Sequence, residues 1–327
     1  MEKPVLRTAP APLFLLSGLV RESGYKVVLT GEGADEILAG YDLFKEAKVR
    51  RFIERNPRSK FRPLLLKRLY PYLATSPTKA ARYAESFFSP ESAGYPSHCY
   101  AHVPRWSTTA KAKQFFSPML RERVAGHDNL RDLAVLVPGH VSGYDHLSQA
   151  QYLEIKTLLS GYLLSSQGDR VAMAHSIEGR YPFLDHRVME FCFRLPPTLR
   201  MRGLTEKYLL KKCLGDRLPK SVIRRTKQPY RAPDAKSFFG GKRHAYVDEL
   251  LSEATLSRTG YFDPKAVGML AAKCARSPVL GFKDNMAIVG VISTQLLHDR
   301  FIERYDSTLR EQITAAKGMR HYEPAEN

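Results

Sequence analysis

Cysteine is scarce in this sequence, with Cys99, Cys192, Cys213 and Cys274 as its only members among 327 residues. They form no CxxC pair and no Cys/His spacing of the kind that holds zinc. The pattern excludes a disulfide-rich secreted scaffold and a zinc-finger type of site. It predicts buried thiols in a reducing compartment, with one stray disulfide pair as the alternative.

Long apolar runs are also missing, since none approaches the roughly 20 residues needed to cross a bilayer. Lys3 and Arg7 precede the apolar stretch "APLFLLSGLV", which imitates the start of a signal peptide. No small-residue cleavage site follows it, so a core-facing helix over residues 11–23 is favoured over a signal. The sequence contains no internal repeat and no low-complexity segment. We therefore expect a cytoplasmic protein without a membrane partner.

Acidic residues are few relative to basic ones, 33 against 51, which leaves a formal net charge of +18. The excess is concentrated in residues 45–68, with ten basic and two acidic residues, and in residues 207–243, with twelve and two. Such stretches bind nucleic acid, an acidic partner or a polyphosphate. A solvated helix face is the favoured interpretation of the first stretch, whereas the second is expected to face an anion.

The segment "KVVLTGEGADEILAGY", residues 26–41, carries the most specific local pattern. It predicts a buried strand over residues 26–30 and a helix over residues 35–52. Ligands of open parallel sheets bind beyond the carboxyl ends of the strands. Gly31 and Gly33 allow the backbone to approach a ligand closely or to adopt a positive φ. A ligand site is therefore predicted at the end of this strand.

Three acids, Glu32, Asp35 and Glu36, crowd the same strand end. Asp35 and Glu36 are suited to cap the following helix, and this is the alternative to a functional role. Capping does not explain Glu32. Carboxylates beside a loop that can hold phosphate suit Mg²⁺, which prefers oxygen ligands and accompanies nucleotide phosphates.

The rest of the chain is predicted to be mostly helical, with helices over residues 146–166, 205–219 and 284–305. A lone buried strand must have neighbours that pair with its backbone groups. Only one helix precedes the strand, so the sequence predicts an α/β fold with a truncated parallel sheet and a large, mostly helical C-terminal portion. Residues 318–327 are predicted to form a polar, frayed tail.

Two further segments contain candidate site residues. The largely apolar segment "GDRVAMAHSIEGRYPFLD", residues 168–185, includes Asp169 and Glu178, and charges in such surroundings pair with one another or serve a site. The segment "RRTKQPYRAP", residues 224–233, places Lys227 in a proline-shielded loop within the denser basic stretch. A plain surface lysine is the alternative there.

Four segments carry a resemblance to a known family: "VVLTGEGADEILAGY", "DRVAMAHSIEGRYPFLDHRV", "TEKYLLKKCLGDRLPKSVIRRTKQPYRAP" and "DNMAIVGVISTQLL". In this order they resemble the synthetase domain of glutamine-hydrolysing asparagine synthetases, and the likeness covers essentially the whole chain. β-Lactam and carbapenam synthetases share this domain. The resemblance implies a nucleotide-binding sheet of the ATP-pyrophosphatase (adenine nucleotide alpha hydrolase-like) type, with the domain over residues 1–317.

The resemblance implies a two-step amide ligation with ATP and Mg²⁺ as cofactors. The carboxylate of aspartate, or of a related acid, attacks the α-phosphorus of Mg-ATP and gives an acyl-adenylate and pyrophosphate. Ammonia derived from glutamine then attacks the activated carbonyl. The roles that the resemblance implies are nucleotide binding for Thr30, Gly31 and Gly33, proton management for Glu32, magnesium and pyrophosphate contact for Asp35, substrate binding for Asp169 and Glu178, and charge stabilisation on the phosphate for Lys227.

The sequence also departs from that family in two respects. The pyrophosphate-binding signature Ser-Gly-Gly-x-Asp-Ser does not occur. The most similar string, "SGYDH" at residues 142–146, lacks the second glycine and is predicted to lie in a loop between helices, so it is discounted. The family's glutaminase domain begins with a cysteine after the initiator methionine, whereas the first cysteine here is Cys99. The chain is therefore expected to be N-terminally incomplete and slow at adenylation by itself. An upstream chain that carries the glutaminase and the loop is a candidate partner, and the sequence leaves its existence open.

Two alternatives stay open. One is a catalytically incomplete remnant or split subunit that needs an upstream partner. The other is a basic RNA-binding module, which is less favoured because residues 45–68 do not interleave aromatic and basic side chains on one face.

Overall fold

The computed structural model describes residues 3–72, 88, 95–230, 232–241, 243–277 and 279–305. The chain divides into two compact units, a larger one of residues 9–110 and 127–232, and a smaller one of residues 1–8, 111–126 and 233–327. The predicted polar tail at residues 318–327 lies outside the described residues, as does the predicted domain end at residue 317.

The larger unit contains a sheet of two parallel strands, β1 (Val27–Leu29) and β2 (Glu178–Arg180). Val27 pairs with Glu178 and Leu29 with Arg180. The predicted parallel pairing of the first strand is confirmed, although the strand is one residue shorter at each end. Thr30 extends the ladder, since its N–H donates to the Arg180 carbonyl oxygen at 2.9 Å.

The prediction that β1 is buried is wrong. Val27 is 45% exposed and Leu29 is 76% exposed. Alternate side chains of a strand point to the same face, so these two residues share one face of the sheet. Among the residues that the structure describes, β2 is the one strand paired with β1, and no element covers that face enough to bury it.

The first helix, α1 (Pro10–Glu22), begins with a proline, whose fixed φ suits the first helical position. Its buried Ser17 hydroxyl donates to the Val171 carbonyl oxygen at 2.8 Å. The predicted helix is therefore present, but the prediction that its apolar side chains face the core is wrong for several of its leucines. Leu15 is 72% exposed and Leu19 is 58% exposed, because the described neighbours of α1 cover a different side of the helix.

The strand-end loop leads into α2 (Ala34–Ile37) and α3 (Asp42–Glu54). A single helix was predicted over residues 35–52, and the structure corrects this. The break falls where Ala39 adopts a φ of +56°, a conformation that ends a right-handed helix. The two helices thus meet the core separately, with the side chain of Ile37 in α2 fully buried and that of Phe44 in α3 nearly so.

Most of the remaining larger unit is helical. The predicted helix over residues 146–166 is present and longer, α-helical over His146–Glu154 and π-helical over Ile155–Asp169. The other helical segments of this unit, α or 3₁₀, are Arg62–Arg68, Ser97–Cys99, Val103–Ala110, Asn129–Leu136, Gly139–Gly143, Arg170–Met173, Pro182–Leu184, His186–Arg194, Pro197–Arg200, Tyr208–Cys213 and Lys220–Ile223.

The smaller unit has a core of its own, in which Val267, Leu270, Ile288 and Ile292 are almost fully buried. Asp263 caps one of its helices, since a carboxylate oxygen accepts from the Ala266 N–H at 2.8 Å. The helical segments of this unit are Lys111–Phe115, Pro118–Val124, Lys236–Phe239, Ala245–Leu250, Glu253–Thr259, Pro264–Arg276, Phe282–His298 and Asp299–Glu303.

All four cysteines are free thiols. The prediction of buried thiols is confirmed for Cys99, Cys192 and Cys274, but not for Cys213, which is exposed. Among the described residues, none of the helices combines the length and the apolar character that a membrane crossing requires.

The exposed apolar side chains of α1 and β1 predict self-association of the chain, because adjacent apolar surface is removed from water when copies associate. We expect sedimentation velocity to show a mass that rises with concentration. The variant Leu15→Glu/Leu19→Glu is expected to shift the distribution towards monomer.

The matched control is Val135→Glu/Met269→Glu, which introduces the same charges at exposed apolar residues elsewhere. It should leave the distribution unchanged. A wild-type chain that sediments as a monomer at every concentration would contradict the prediction.

Candidate functional site

The loop after β1 is shaped by Gly33, which precedes α2 with a φ of +90°. A Cβ at this position would lie 2.2 Å from Leu184 Cδ2, so glycine is required here both by conformation and by space. Gly31 differs, because no atom lies within 4 Å of where its Cβ would stand. Thr30 accepts a hydrogen bond from the Glu32 N–H through its hydroxyl at 3.4 Å. The three predicted nucleotide-binding residues thus form one turn at the carboxyl end of β1, open at Gly31 and packed against Leu184 at Gly33.

Asp35 and Lys227, which lie 192 residues apart in sequence, meet beside this turn. Lys227 Nζ donates to Asp35 Oδ2 at 2.8 Å. Lys207 Nζ lies 3.0 Å from the other oxygen, Asp35 Oδ1. The Asp35 residue is only 8% exposed, while both lysines are partly exposed. One buried carboxylate therefore holds two ammonium groups whose side chains are partly exposed.

Glu32 is the fourth charged member of this group, and we call Glu32, Asp35, Lys207 and Lys227 the charged cluster. Burial raises the pKa of Glu32 and the charge of Lys227 lowers it. The charge of Asp35 raises this pKa further, and the charge of Lys207 lowers it. The net result is a raised pKa. The carboxylate of Glu32 is thus a better proton acceptor than an ordinary exposed glutamate.

Lys207 was not among the predicted site residues. Its φ of +49° is uncommon for a residue with a side chain and costs on the order of 1–3 kcal/mol. The Lys207 N–H donates to the Leu38 carbonyl oxygen at 3.1 Å, which ties this strained residue to the end of α2. The sequence signal was its position in "TEKYLL", immediately before a helix in the denser basic stretch.

Glu206, the residue before Lys207, holds the backbone of the other lysine. Its Oε1 accepts from the Lys227 N–H at 3.2 Å and from Lys211 Nζ at 2.8 Å. Its Oε2 lies 2.8 Å from Lys45 Nζ. Burial alone would raise the pKa of Glu206, but the hydrogen bonds from Lys211 and Lys45 outweigh it and lower the pKa to about 2. Glu206 is therefore a fixed anion that positions the loop of Lys227.

Glu36 lies next to the charged cluster and is 1% exposed. The Tyr41 hydroxyl donates to Glu36 Oε1 at 2.8 Å, and Lys227 Nζ lies 5.6 Å from the centre of the Tyr41 ring. Burial raises the pKa of Glu36 to about 7. This carboxyl therefore changes charge near neutral pH, which a sequence pattern alone does not indicate because burial is the cause.

Asp169 is connected to the cluster through Tyr181. The Tyr181 hydroxyl donates to Asp169 Oδ1 at 3.0 Å. Burial, the hydrogen bond to Asp169 and the nearby charges of Asp169 and Glu32 raise the pKa of Tyr181 to about 12. Tyr181 thus stays a hydrogen-bond donor at neutral pH, within electrostatic range of both predicted acids.

Glu178 is placed differently from the other predicted site residues. It begins β2 opposite Val27, whereas the turn with Thr30 lies at the other end of the paired strands. Its exposed carboxylate pairs with Arg180 Nη2 at 2.5 Å. The described contacts do not bring Glu178 into the charged cluster, and its substrate-binding role stays a prediction.

A magnesium ion would find an incomplete set of ligands in the protein alone. Among the described residues, no group of three or more His, Cys, Asp or Glu side chains is arranged to hold a metal ion. Both oxygens of Asp35 face ammonium groups. Mg²⁺ is commonly bound through one or two carboxylates together with substrate phosphates and water. Asp35 with a bound nucleotide fits that donor set, whereas Asp35 alone does not.

The sequence was compared with known families. The family model described as asparagine synthase matches residues 1–299. The chain belongs to the asparagine synthase family, and its α/β architecture is of the adenine nucleotide alpha hydrolase-like type.

Several curated proteins are similar to the chain over part of their length. A putative glutamine-hydrolysing asparagine synthetase of Mycobacterium tuberculosis H37Rv is 30% identical over 242 residues, 71% of this chain and 33% of that protein. Asparagine synthetase (glutamine-hydrolysing) 1 of Bacillus subtilis is 26% identical over 77% of this chain and 38% of its own length. Amidase chry2 of Gibberella zeae is 25% identical with the same coverage. The chain spans about a third to two fifths of the length of these relatives.

Gly40 packs against the charged cluster, and this predicts a large effect of a small substitution. A Cβ at Gly40 would lie 1.8 Å from Asp35 Oδ1 and 2.6 Å from Lys207 Cε. Gly40→Ala should therefore lower the free energy of unfolding by about 1–3 kcal/mol, the usual effect of overpacking a tight site. The measurement is urea unfolding followed by circular dichroism.

Gly31→Ala is the matched control, because its Cβ would enter open space. It should leave the urea midpoint within error of the wild type. Equal stability of the Gly40→Ala variant and the wild type would show that Asp35 and Lys207 are not held as described.

The raised pKa of Glu36 predicts a pH-dependent stability. The folded protein binds this proton more tightly than the unfolded chain, whose glutamate has a pKa of 4.5. The contribution is complete below pH 4.5 and is lost as the pH rises through about 7. Since one pKa unit corresponds to about 1.4 kcal/mol, Glu36→Gln should gain roughly 3 kcal/mol over the wild type between pH 5 and pH 8.

Urea unfolding of both proteins at the two pH values measures this difference. Glu190→Gln, at an exposed glutamate, is the control and should follow the wild type at both. If the difference in free energy of unfolding between Glu36→Gln and wild type is the same at both pH values, the raised pKa of Glu36 is contradicted.

Proposed function

We propose that the chain is the synthetase part of an ATP-dependent amide ligase that activates aspartate or a related carboxylic acid. The observation that carries the proposal is the charged cluster: two ammonium groups on one buried carboxylate, beside an open glycine turn at the carboxyl end of a parallel strand. Membership of the asparagine synthase family supports the class of reaction.

In the first step a substrate carboxylate oxygen would attack the α-phosphorus of ATP, and the bond between that phosphorus and the bridging oxygen to the β-phosphate would break. Lys227 and Lys207 are suited to stabilise the negative charge that develops on the phosphates. Their attachment to Asp35 holds both ammonium groups in place before the nucleotide arrives. Thr30, Gly31 and Gly33 would bind the nucleotide through the open turn.

Asp35 would also contact the magnesium ion that accompanies the phosphates as part of the substrate. When bound, the ion supplies positive charge to the phosphate oxygens. The protein's contribution is the position of the Asp35 carboxylate, which the short α2 places at the bottom of the cluster.

In the second step ammonia would attack the activated carbonyl, and AMP would leave with the bonding electrons. The nitrogen must then lose a proton, and the raised pKa of Glu32 makes its carboxylate a suitable acceptor. Asp169, positioned by Tyr181, would bind the substrate's polar groups. Glu178 is proposed for the same substrate pocket by its family position alone.

The proposal includes the domain boundaries and the partners. The synthetase domain would extend over residues 1–317, with residues 318–327 as a polar tail. Ammonia would come from glutamine through a glutaminase domain, and an upstream chain would supply the pyrophosphate-binding loop. The four free thiols support a reducing compartment, the cytoplasm.

The test is pyrophosphate release that depends on aspartate, with ammonium as the nitrogen source. The chain is assayed alone and together with a segment from a relative that carries the pyrophosphate-binding loop. We expect little release by the chain alone and at least a hundredfold more on mixing, because one set of preorganised donors commonly contributes that much. Lys227→Ala should abolish the gain.

Lys220→Ala removes an exposed lysine of the same basic stretch and should leave the rate unchanged. Fast release by the chain alone would show that the missing loop is not needed. No release under either condition would favour a catalytically incomplete remnant over the proposed ligase.

A further inference from the structure

A second concentration of positive charge lies in a pocket of about 520 Å³ in the larger unit. No member of the charged cluster lines it. The basic pocket, as we call it, is lined by five cationic side chains: Lys45, Arg68, Lys211, Lys212 and Arg224. Its volume lies within the range of roughly 300–1,000 Å³ that small-molecule sites usually have.

The charges of the basic pocket are not balanced by the protein around it. Glu206 is the one acid among the lining residues, and it is shared by Lys45 and Lys211. Lys45 Nζ also lies 3.6 Å from Asp42 Oδ1, outside the lining. The charged groups of Arg68, Lys212 and Arg224 form no ion pair within the described residues. Arg68, Lys212 and Arg224 line the same cavity without a carboxylate partner, so their like charges repel each other, and an anion placed between them relieves that repulsion.

The excess of charge specifies the kind of anion. A single carboxylate would balance one of the three unpaired cations, Arg68, Lys212 and Arg224, whereas a diphosphate carries several charges in a compact group. Two of the side chains, Arg68 and Arg224, present planar guanidinium groups that bind phosphate oxygens in pairs. We propose that the basic pocket is a binding site for a small diphosphate-type anion, either free or attached to an organic group.

The rest of the pocket lining is apolar enough to contact an organic group attached to the diphosphate. Leu204, Tyr208, Ile223 and Pro71 contribute apolar surface beside the cations. An aromatic or aliphatic body attached to the diphosphate would lose water on packing against these side chains. Free pyrophosphate and a nucleoside diphosphate share the required chemistry, and the affinity of each distinguishes between them.

The basic pocket adjoins the loop of Lys227 through shared hydrogen bonds. Lys211 donates to Glu206 at 2.8 Å and to the Arg225 carbonyl oxygen at 3.4 Å, and Glu206 accepts from the Lys227 N–H. An anion that draws Lys211 towards itself weakens its contact with the loop at Arg225 and its contact with Glu206, which holds the Lys227 N–H. Binding in the pocket is therefore coupled to the position of Lys227, and this consequence rests on the proposed function.

The experiment is titration calorimetry of the full chain with pyrophosphate and with ADP at low ionic strength. Arg68→Ala/Arg224→Ala removes two exposed guanidinium groups that line the pocket. We expect it to weaken one class of binding site at least tenfold for both ligands. Arg217→Ala/Lys220→Ala removes two exposed charges of the same basic stretch outside the pocket, and should bind within twofold of wild type.

Lys227→Ala separates this proposal from the proposed function. It should remove binding at the charged cluster and leave the class of site that depends on Arg68 and Arg224. If Lys227→Ala changes nothing while the Arg68/Arg224 variant loses a site, the pocket stands and the proposed function does not. Unchanged binding by Arg68→Ala/Arg224→Ala overturns the pocket.

Lysine acetylation read by mass spectrometry locates the ligand directly. Pyrophosphate should protect Lys212, which lines the pocket, but not the exposed Lys220. Equal protection of both lysines would mean diffuse ion binding and would overturn the site. Displacement of pyrophosphate by tRNA together with protection of both lysines would replace the pocket by an extended nucleic-acid surface.

Discussion

The site depends on one carboxylate, that of Asp35, which lies at the end of β1 and holds Lys207 and Lys227 at 3.0 Å and 2.8 Å. Because Asp35 is nearly buried, removal of either lysine would leave a buried carboxylate with one ion-pair partner fewer, which is costly. Asp35 in turn fixes the side chains of Lys207 and Lys227, because both ammonium groups bind its carboxylate. A change in any of the three residues alters the positions of the other two.

A second carboxylate, that of Glu206, positions the loop that carries Lys227. It fixes the Lys227 backbone, while Lys207, the next residue, shares Asp35 with the Lys227 side chain. Two consecutive residues thus control one lysine from two sides, by a main-chain contact and by a common counter-ion. Glu206 also forms ion pairs with Lys45 and Lys211 of the basic pocket. The pocket and the site therefore share one buried carboxylate.

Sequence motifs predicted the strand-end loop and its glycines, because both were visible as local patterns of residue types. The role expected of Lys227 came from the family resemblance. The motifs missed Lys207 and the pKa of Glu36, and they placed α1 and β1 in the core. The first two depend on contacts between residues far apart in the chain. The error with α1 and β1 arose because an apolar pattern identifies the side of an element that can be buried, and does not say whether a neighbour covers it.

The sequence by itself determined the family, the parallel strand with its following turn, the helical character of the rest and the excess of positive charge. The family follows from the resemblance of four segments, and the other features follow from short-range preferences and from composition, which act at every position independently of the fold. The tertiary structure decided which charges meet. Coulombic energy and desolvation change steeply over a few ångströms, so the pairing of Asp35 with Lys207 and Lys227, and the isolation of Glu178, were fixed only when the chain folded.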